Sequence, residues 1–237
     1  MRYLMVLMVA CLLTACGSDN PGTHYFPLDE GMSWEYKVTE RLGSEQQIKR
    51  YSVTNMGAVK LADEYAEESV YLRKNSDGTD YYILQDDTGS HRIAKRTIVE
   101  HRPRFDAEER KILPGSKDLE VGRFWTVETQ PYTLRSVEFH SLPNPGLKRF
   151  MMSNEITAID VTVTVPAGTF ENCVEVTGQG EISMYVDPRL GYQDILMTQK
   201  EWYAPGVGLV KLVREEPLDL PMFKGGAISF ELLVFDD

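Results

Sequence analysis

The chain has 237 residues, with 25 lysines and arginines against 36 aspartates and glutamates, for a formal charge of −11 at pH 7. That balance supplies no clustered positive field for a phosphate backbone, so nucleic acid is excluded as a partner. The length suffices for one large domain with a sizeable core, or for two small ones.

In chain order the first element is an export leader. Arg2 gives it a positive start, and residues 4–13 form an apolar run without a charge. A bilayer-spanning helix needs roughly 20 apolar residues, so this run reads as a signal segment. The polar stretch Gly17-Ser18-Asp19-Asn20-Pro21-Gly22 that follows reads as a tether.

Between them, Leu13-Thr14-Ala15-Cys16 resembles a bacterial lipobox. The resemblance implies cleavage between Ala15 and Cys16, a diacylglycerol on the Cys16 thiol and an acyl chain on the freed amine. Residues 1–15 are then a lipoprotein signal peptide, 16–23 a lipidated tether and 24–237 a single β-rich domain. At about 0.8 kcal/mol per buried methylene, one acyl chain is marginal and two attach stably. The residue after the cysteine is Gly17 rather than an aspartate. By resemblance this implies an outer-membrane address facing the periplasm, or the single cell membrane in a Gram-positive source.

Cys11 leaves with the leader and Cys16 is taken by lipid, so Cys173 has no partner for an intramolecular disulfide. Alternation in Phe170-Glu171-Asn172-Cys173-Val174-Glu175-Val176 turns its thiol inward as a small apolar side chain.

The body has a period of two. Strands are predicted over 33–41, 47–56, 69–74, 81–85, 91–99, 124–129, 133–139, 156–165, 173–179, 195–203, 209–214 and 227–235. The clearest carries Val161, Val163 and Val165 in alternation with Thr162 and Thr164 and is broken by Pro166-Ala167-Gly168. Asn75-Ser76-Asp77-Gly78 and Asp86-Asp87-Thr88-Gly89 read as hairpin loops, and Ala204-Pro205-Gly206 as a type II turn. The one helix start is Asp106-Ala107-Glu108-Glu109, an aspartate cap with glutamate three residues on.

Leu28-x-x-Gly31-x-x-Trp34 recurs as Leu119-x-x-Gly122-x-x-Trp125. The recurrence raises the possibility of two related halves, 24–104 and 116–237, against a chance match. Trp34, Trp125 and Trp202 all stand beside glycine turns. They either plug the sheet ends or, with Phe139, line a ligand wall.

Three segments resemble a widespread class of bacterial lipoproteins labelled TapB-like. They are the run Tyr25 to Tyr36, the stretch Val165-Pro166-Ala167-Gly168-Thr169-Phe170-Glu171-Asn172-Cys173, and Trp202-Tyr203-Ala204-Pro205-Gly206-Val207-Gly208-Leu209-Val210. The resemblance implies a curved antiparallel sheet and carries no catalytic assignment. Residues 58–69 and 105–118 correspond to nothing in it.

Signatures of chemistry are sparse. Asp87-Thr88-Gly89-Ser90 matches an aspartic-protease triplet, but Gln85 and Asp86 stand where apolar strand residues belong and no second copy exists. His24, His91, His101 and His140 lack metal-ligand spacing, and Asn75 to Asp80 lacks the pattern of a calcium loop. No metal, cofactor or catalytic residue is expected. One basic stretch, with Arg92, Lys95, Arg96, Arg102 and Arg104, either meets lipid phosphates or acidic glycans or forms a solvated strand face paired with surplus carboxylates.

The expected fold is therefore mainly β, a curved antiparallel sheet shaped as a sandwich or incomplete barrel with little helix. The expected role is that of a membrane-anchored envelope lipoprotein, a non-catalytic module that docks a protein partner or the cell wall. The alternatives are a carrier or sensor of an apolar ligand such as lipid in a half-open barrel, and a hydrolase with dispersed residues.

Overall fold

The computed structural model describes residues 25–61, 65, 68–136, 149–219 and 223–237. Thirteen strands follow one another: β1 Ser33–Leu42, β2 Glu45–Val59, β3 Val70–Asn75, β4 Asp80–Asp86, β5 Gly89–Arg96, β6 Arg104–Pro114, β7 Phe124–Thr129, β8 Arg135–Ser136, β9 Phe150–Val165, β10 Gly168–Asp187, β11 Gly191–Ala204, β12 Gly208–Asp219 and β13 Phe223–Asp236. A short 3₁₀ turn, Ser116–Asp118, follows β6.

All pairings are antiparallel and all strands belong to one sheet, in the order β6-β5-β4-β3-β2-β1-β13-β12-β11-β10-β9-β7, with β8 paired to β13 off that path. The two ends of the order, β6 and β7, approach each other, so the sheet closes almost completely into a barrel. β1 shows why one face turns inward: Trp34, Tyr36, Val38 and Glu40 are buried, while Ser33, Glu35, Lys37 and Thr39 between them are partly open.

The predicted hairpins form with the expected chemistry. Asp77 Oδ1 accepts the Thr79 N–H at 2.8 Å, and Asp86 Oδ1 accepts the N–H groups of Thr88 at 2.7 Å and Gly89 at 3.2 Å. At Ala204-Pro205-Gly206 the Val207 N–H reaches the Ala204 carbonyl at 3.2 Å with Gly206 at φ 72°, as a type II turn requires.

Both glycine–tryptophan motifs use one hydrogen-bond arrangement. The Gly31 N–H bonds Asn55 O at 3.0 Å and the Asn55 N–H bonds Met32 O at 2.9 Å; Gly122 and Arg123 do the same with Ile156, at 2.9 Å each. The glycines sit at φ 94° and 91°, where an L side chain is strained. Each motif thus opens a run of six meandering strands, β1 to β6 and β7 with β9 to β13.

The expected helix at Asp106 is not there; the segment is strand β6. The Asp106 carboxylate does not cap a helix because Arg92 on β5 takes both its oxygens, at 2.7 and 2.8 Å. The glutamates lie in a bulge, where the ladder jumps from Arg92 opposite Arg110 to Ala94 opposite Phe105. Of the strand predicted over 133–139, Arg135 and Ser136 are in β8 and residues 137–139 lie outside the described residues. The strand predicted to reach Val99 stops at Arg96.

Three apolar clusters hold the sheet. The largest joins Leu113 of β6 to Trp125 and Val127 of β7 and to Ile156, Val176 and Met197. A second collects Trp34, Val38, Val163, Cys173, Val210 and Leu232. A third, around Val70, Ile93 and Ala94, is packed against by Leu61 and Tyr65.

The Cys173 thiol is fully buried in the second cluster, and burial pushes its pKa up to about 11. The thiolate being the reactive form, Cys173 is expected to resist thiol reagents at pH 8 in the native protein and to react fully in denaturant. Peptide mass mapping checks both; modification of the folded chain would contradict the packing.

Candidate functional site

Inside the barrel, one group of buried polar residues lies in the upper half, along the later part of β12. On β12 the inward positions run Val210, Leu212, Arg214, Glu216, all buried. The Arg214 Nε donates to Glu216 Oε1 at 2.7 Å, with side-chain exposures of 1% and 0%. Burying such a pair costs several kcal/mol per ion unless every lone pair and proton is satisfied, and here they are used heavily. Glu216 Oε2 accepts from the N–H groups of Tyr132, Thr133 and Leu134 at 3.0, 2.7 and 2.9 Å and from the Thr133 hydroxyl at 3.0 Å. Arg214 also reaches Gln199 Oε1 and the Gln130 carbonyl, and its guanidinium lies 3.9 Å from the centre of the Tyr132 ring. The pair therefore pins residues 130–134 as a plug at this end of the barrel.

Next to it, Glu201 accepts from Gln199 Nε2 at 2.9 Å and from the Tyr203 hydroxyl at 3.0 Å. Burial raises its pKa, a shift opposed by the Tyr203 hydrogen bond and by the positive charges of Arg110 and Arg214. The pairing places Arg214, Gln199, Gly178, Asn154 and Trp125 in one transverse row across β12, β11, β10, β9 and β7.

The other end is closed by residues 25–32. Phe26 and Leu28 are buried in the largest cluster. The Pro27 carbonyl accepts from Asn55 Nδ2 at 3.1 Å and Arg73 Nη2 at 2.9 Å, and the Phe26 carbonyl accepts from Gln85 Nε2 at 3.1 Å. Arg73 lies over the rings of Phe26 and Trp34, at 4.2 and 4.8 Å. Desolvation pulls its pKa down to about 10, which leaves it charged at neutral pH. Outside this cap an open groove of about 490 Å³ is lined by Pro27, Asp29, Glu30, Met32, Tyr71 and Gln85; its walls mix carboxylates with apolar groups.

The four residues read as a plug or a ligand wall do not share one surface. Trp34 and Trp125 are buried, 3% and 8% exposed. Trp34 Nε1 donates to Val207 O at 2.7 Å, whereas the Trp125 Nε1 and the Oδ1 of Asn154 opposite it have no protein partner. Trp202 lies on the face of β11 opposite Glu201 and Tyr203, half-buried, with its Nε1 on Glu175 at 2.9 Å and Lys211 over its ring. Phe139 lies outside the described residues, as do Ala15, Cys16, His24 and His140.

The basic stretch is divided between partners. Arg92 is held by Asp106, Arg96 by Asp80, and Arg104 by Glu100 at 3.3 Å. Lys95 stands opposite Arg104 and Tyr81, and burial and then Arg92 and Arg104 lower its pKa. Arg102 is exposed. His91 is buried with Nε2 2.9 Å from the Thr88 hydroxyl and Nδ1 3.8 Å from Glu109. Burial, then Lys111, lowers its pKa against the pull of Asp86 and Glu109. No group of three or more metal-ligating side chains occurs among the described residues.

Arg214, Glu216, Glu201, Arg110 and Arg73 were not among the residues singled out from sequence. The signal for two of them was present: with Val210 and Leu212 facing inward, positions 214 and 216 must face inward too, and both are charged.

Comparison with known proteins gives a partial match. No curated protein matches the chain. Among solved structures, one from Parabacteroides distasonis ATCC 8503 described as a lipoprotein has 15% identity and a TM-score of 0.42, with 90% of this chain and 98% of that chain covered. Another, from Bacteroides fragilis NCTC 9343 and described as an exported protein with a YmcC-like fold, has 14% identity, a TM-score of 0.40 and the same coverage. A family model described as DUF3108-like matches residues 149–218, so over β9, β10, β11 and nearly all of β12 the chain is similar to that family.

Proposed function

We propose that this protein is an envelope lipoprotein held by lipid on Cys16, on the periplasmic side of the outer membrane, whose barrel is a non-catalytic docking module for an envelope protein or the cell wall. The anchor rests on Leu13-Thr14-Ala15-Cys16 after a charge-free apolar run, and the TapB-like resemblance points the same way. The observation that carries docking over carriage of an apolar ligand is the state of the barrel interior. An apolar carrier needs an enclosed apolar pocket. Here the upper interior holds the buried Arg214–Glu216 pair and Glu201, and Trp34 and Trp125 are buried in the apolar clusters.

Cys16→Ser is expected to abolish labelling by radioactive palmitate and to move the protein out of the membrane fraction; unchanged membrane fractionation contradicts the anchor. In cells, crosslinking of the wild-type chain should capture a discrete envelope partner that Cys16→Ser loses. A stoichiometric apolar ligand in the purified protein favours the carrier instead.

A further inference from the structure

We propose that the wall of the barrel opens at one place, between the upper halves of β6 and β7, and that Arg110 is the latch that holds it shut. The two six-strand meanders meet twice. At one junction β1 and β13 are joined along the whole of Ser33–Leu42. At the other, β6 and β7 approach without a ladder. Among the described residues the hydrogen bonds across this second junction come from one side chain: Arg110 Nη1 donates to Glu128 O at 3.0 Å and Nη2 to Thr129 Oγ1 at 3.3 Å.

The two halves of the seam differ in kind. Below, Leu113 of β6 and Trp125 and Val127 of β7 belong to one apolar cluster, and the chain from Pro114 to Phe124 ties the strands together. Above, β6 is short of backbone hydrogen bonds on its other side as well. The bulge at Asp106–Glu109 interrupts its backbone ladder with β5, so this stretch is attached by the Ala94 and Lys95 pairings and by side chains: Arg92 on Asp106, His91 and the Tyr65 hydroxyl beside Glu109, and the Tyr65 ring stacked on Phe105. A strand fixed at its foot and short of backbone hydrogen bonds on both flanks is the part of a sheet that separates first. What lies behind it is polar, with Glu201 and Arg214 placed near Arg110, so parting the wall there brings water to charged groups and leaves the apolar cluster covered.

The test is the distance between nitroxide-bearing unnatural residues at Glu108 and Thr126, measured by pulsed dipolar spectroscopy on the full chain, with a control pair at Thr39 and Ser229 across the hydrogen-bonded junction. The seam pair should give two distance populations and the control one. Arg110→Met, which keeps the stem but loses both hydrogen bonds, should raise the ratio of the longer to the shorter population about tenfold. Thr129→Val, which removes one acceptor and no charge, should raise it less. A single narrow distance at the seam in the wild type and in both variants, with native circular dichroism retained, overturns the proposal. So does a control pair that broadens equally.

Discussion

Glu216→Gln is expected to lower the unfolding free energy by about 3–5 kcal/mol, the cost of removing one partner of a buried ion pair. The glutamine leaves the Arg214 guanidinium, 1% exposed, without its anion. It also turns an amide N–H₂ toward donors, because the Glu216 carboxylate accepts only from N–H and O–H groups of residues 132–134 and from Arg214. Urea unfolding followed by circular dichroism measures the loss, and hydrogen exchange at Thr133 and Leu134 should rise with it. The double variant with Arg214→Met should lose less than the two single variants combined, since the charges answer each other. A loss under about 1 kcal/mol, within the range of an exposed pair, contradicts the buried latch on this plug.

Trp34→Ala is expected to cost about 3–5 kcal/mol. The indole is 3% exposed, bonds Val207 O, lies against the Phe235 ring at 5.7 Å and supports Arg73. Truncation opens a cavity and strips Arg73 of one of its two aromatic faces, loosening the cap made by residues 25–32. Trp202→Ala, which removes a half-buried ring on the other face of β11, should cost clearly less. Equal losses in the two variants contradict the division between a buried plug and an outer ring.

How much of this was legible in the sequence depends on whether the informative residues were local. Strand alternation at Ser33–Leu42 and the turn residues at Asp77, Asp86 and Gly206 act over a few positions, so period and turn chemistry recovered the β class and most hairpins. Asp106 misled because a capping box is also local, and its real partner, Arg92, comes from the neighbouring strand. The first part of β9, residues 150–155, was missed although Phe150, Met152 and Asn154 alternate inward; the exposed Met151 hides the pattern in a run of apolar residues. The interior ionic groups were hardest. Glu216 and the loop it grips are more than eighty positions apart, and no spacing rule links them. The charged inward phase at Arg214 and Glu216 was readable, but only a closed sheet explains why the fold tolerates it.

In the function proposed above, a lipid on Cys16 holds a barrel whose interior is occupied by its own side chains. Native mass spectrometry of the protein extracted from its own membrane tests both parts at once. The expected result is a polypeptide beginning at Cys16, carrying a covalent diacylglycerol and one amide-linked acyl chain, with no further lipid surviving gentle activation. A chain that starts at Met1 without acylation, or one that retains a stoichiometric noncovalent lipid, contradicts it.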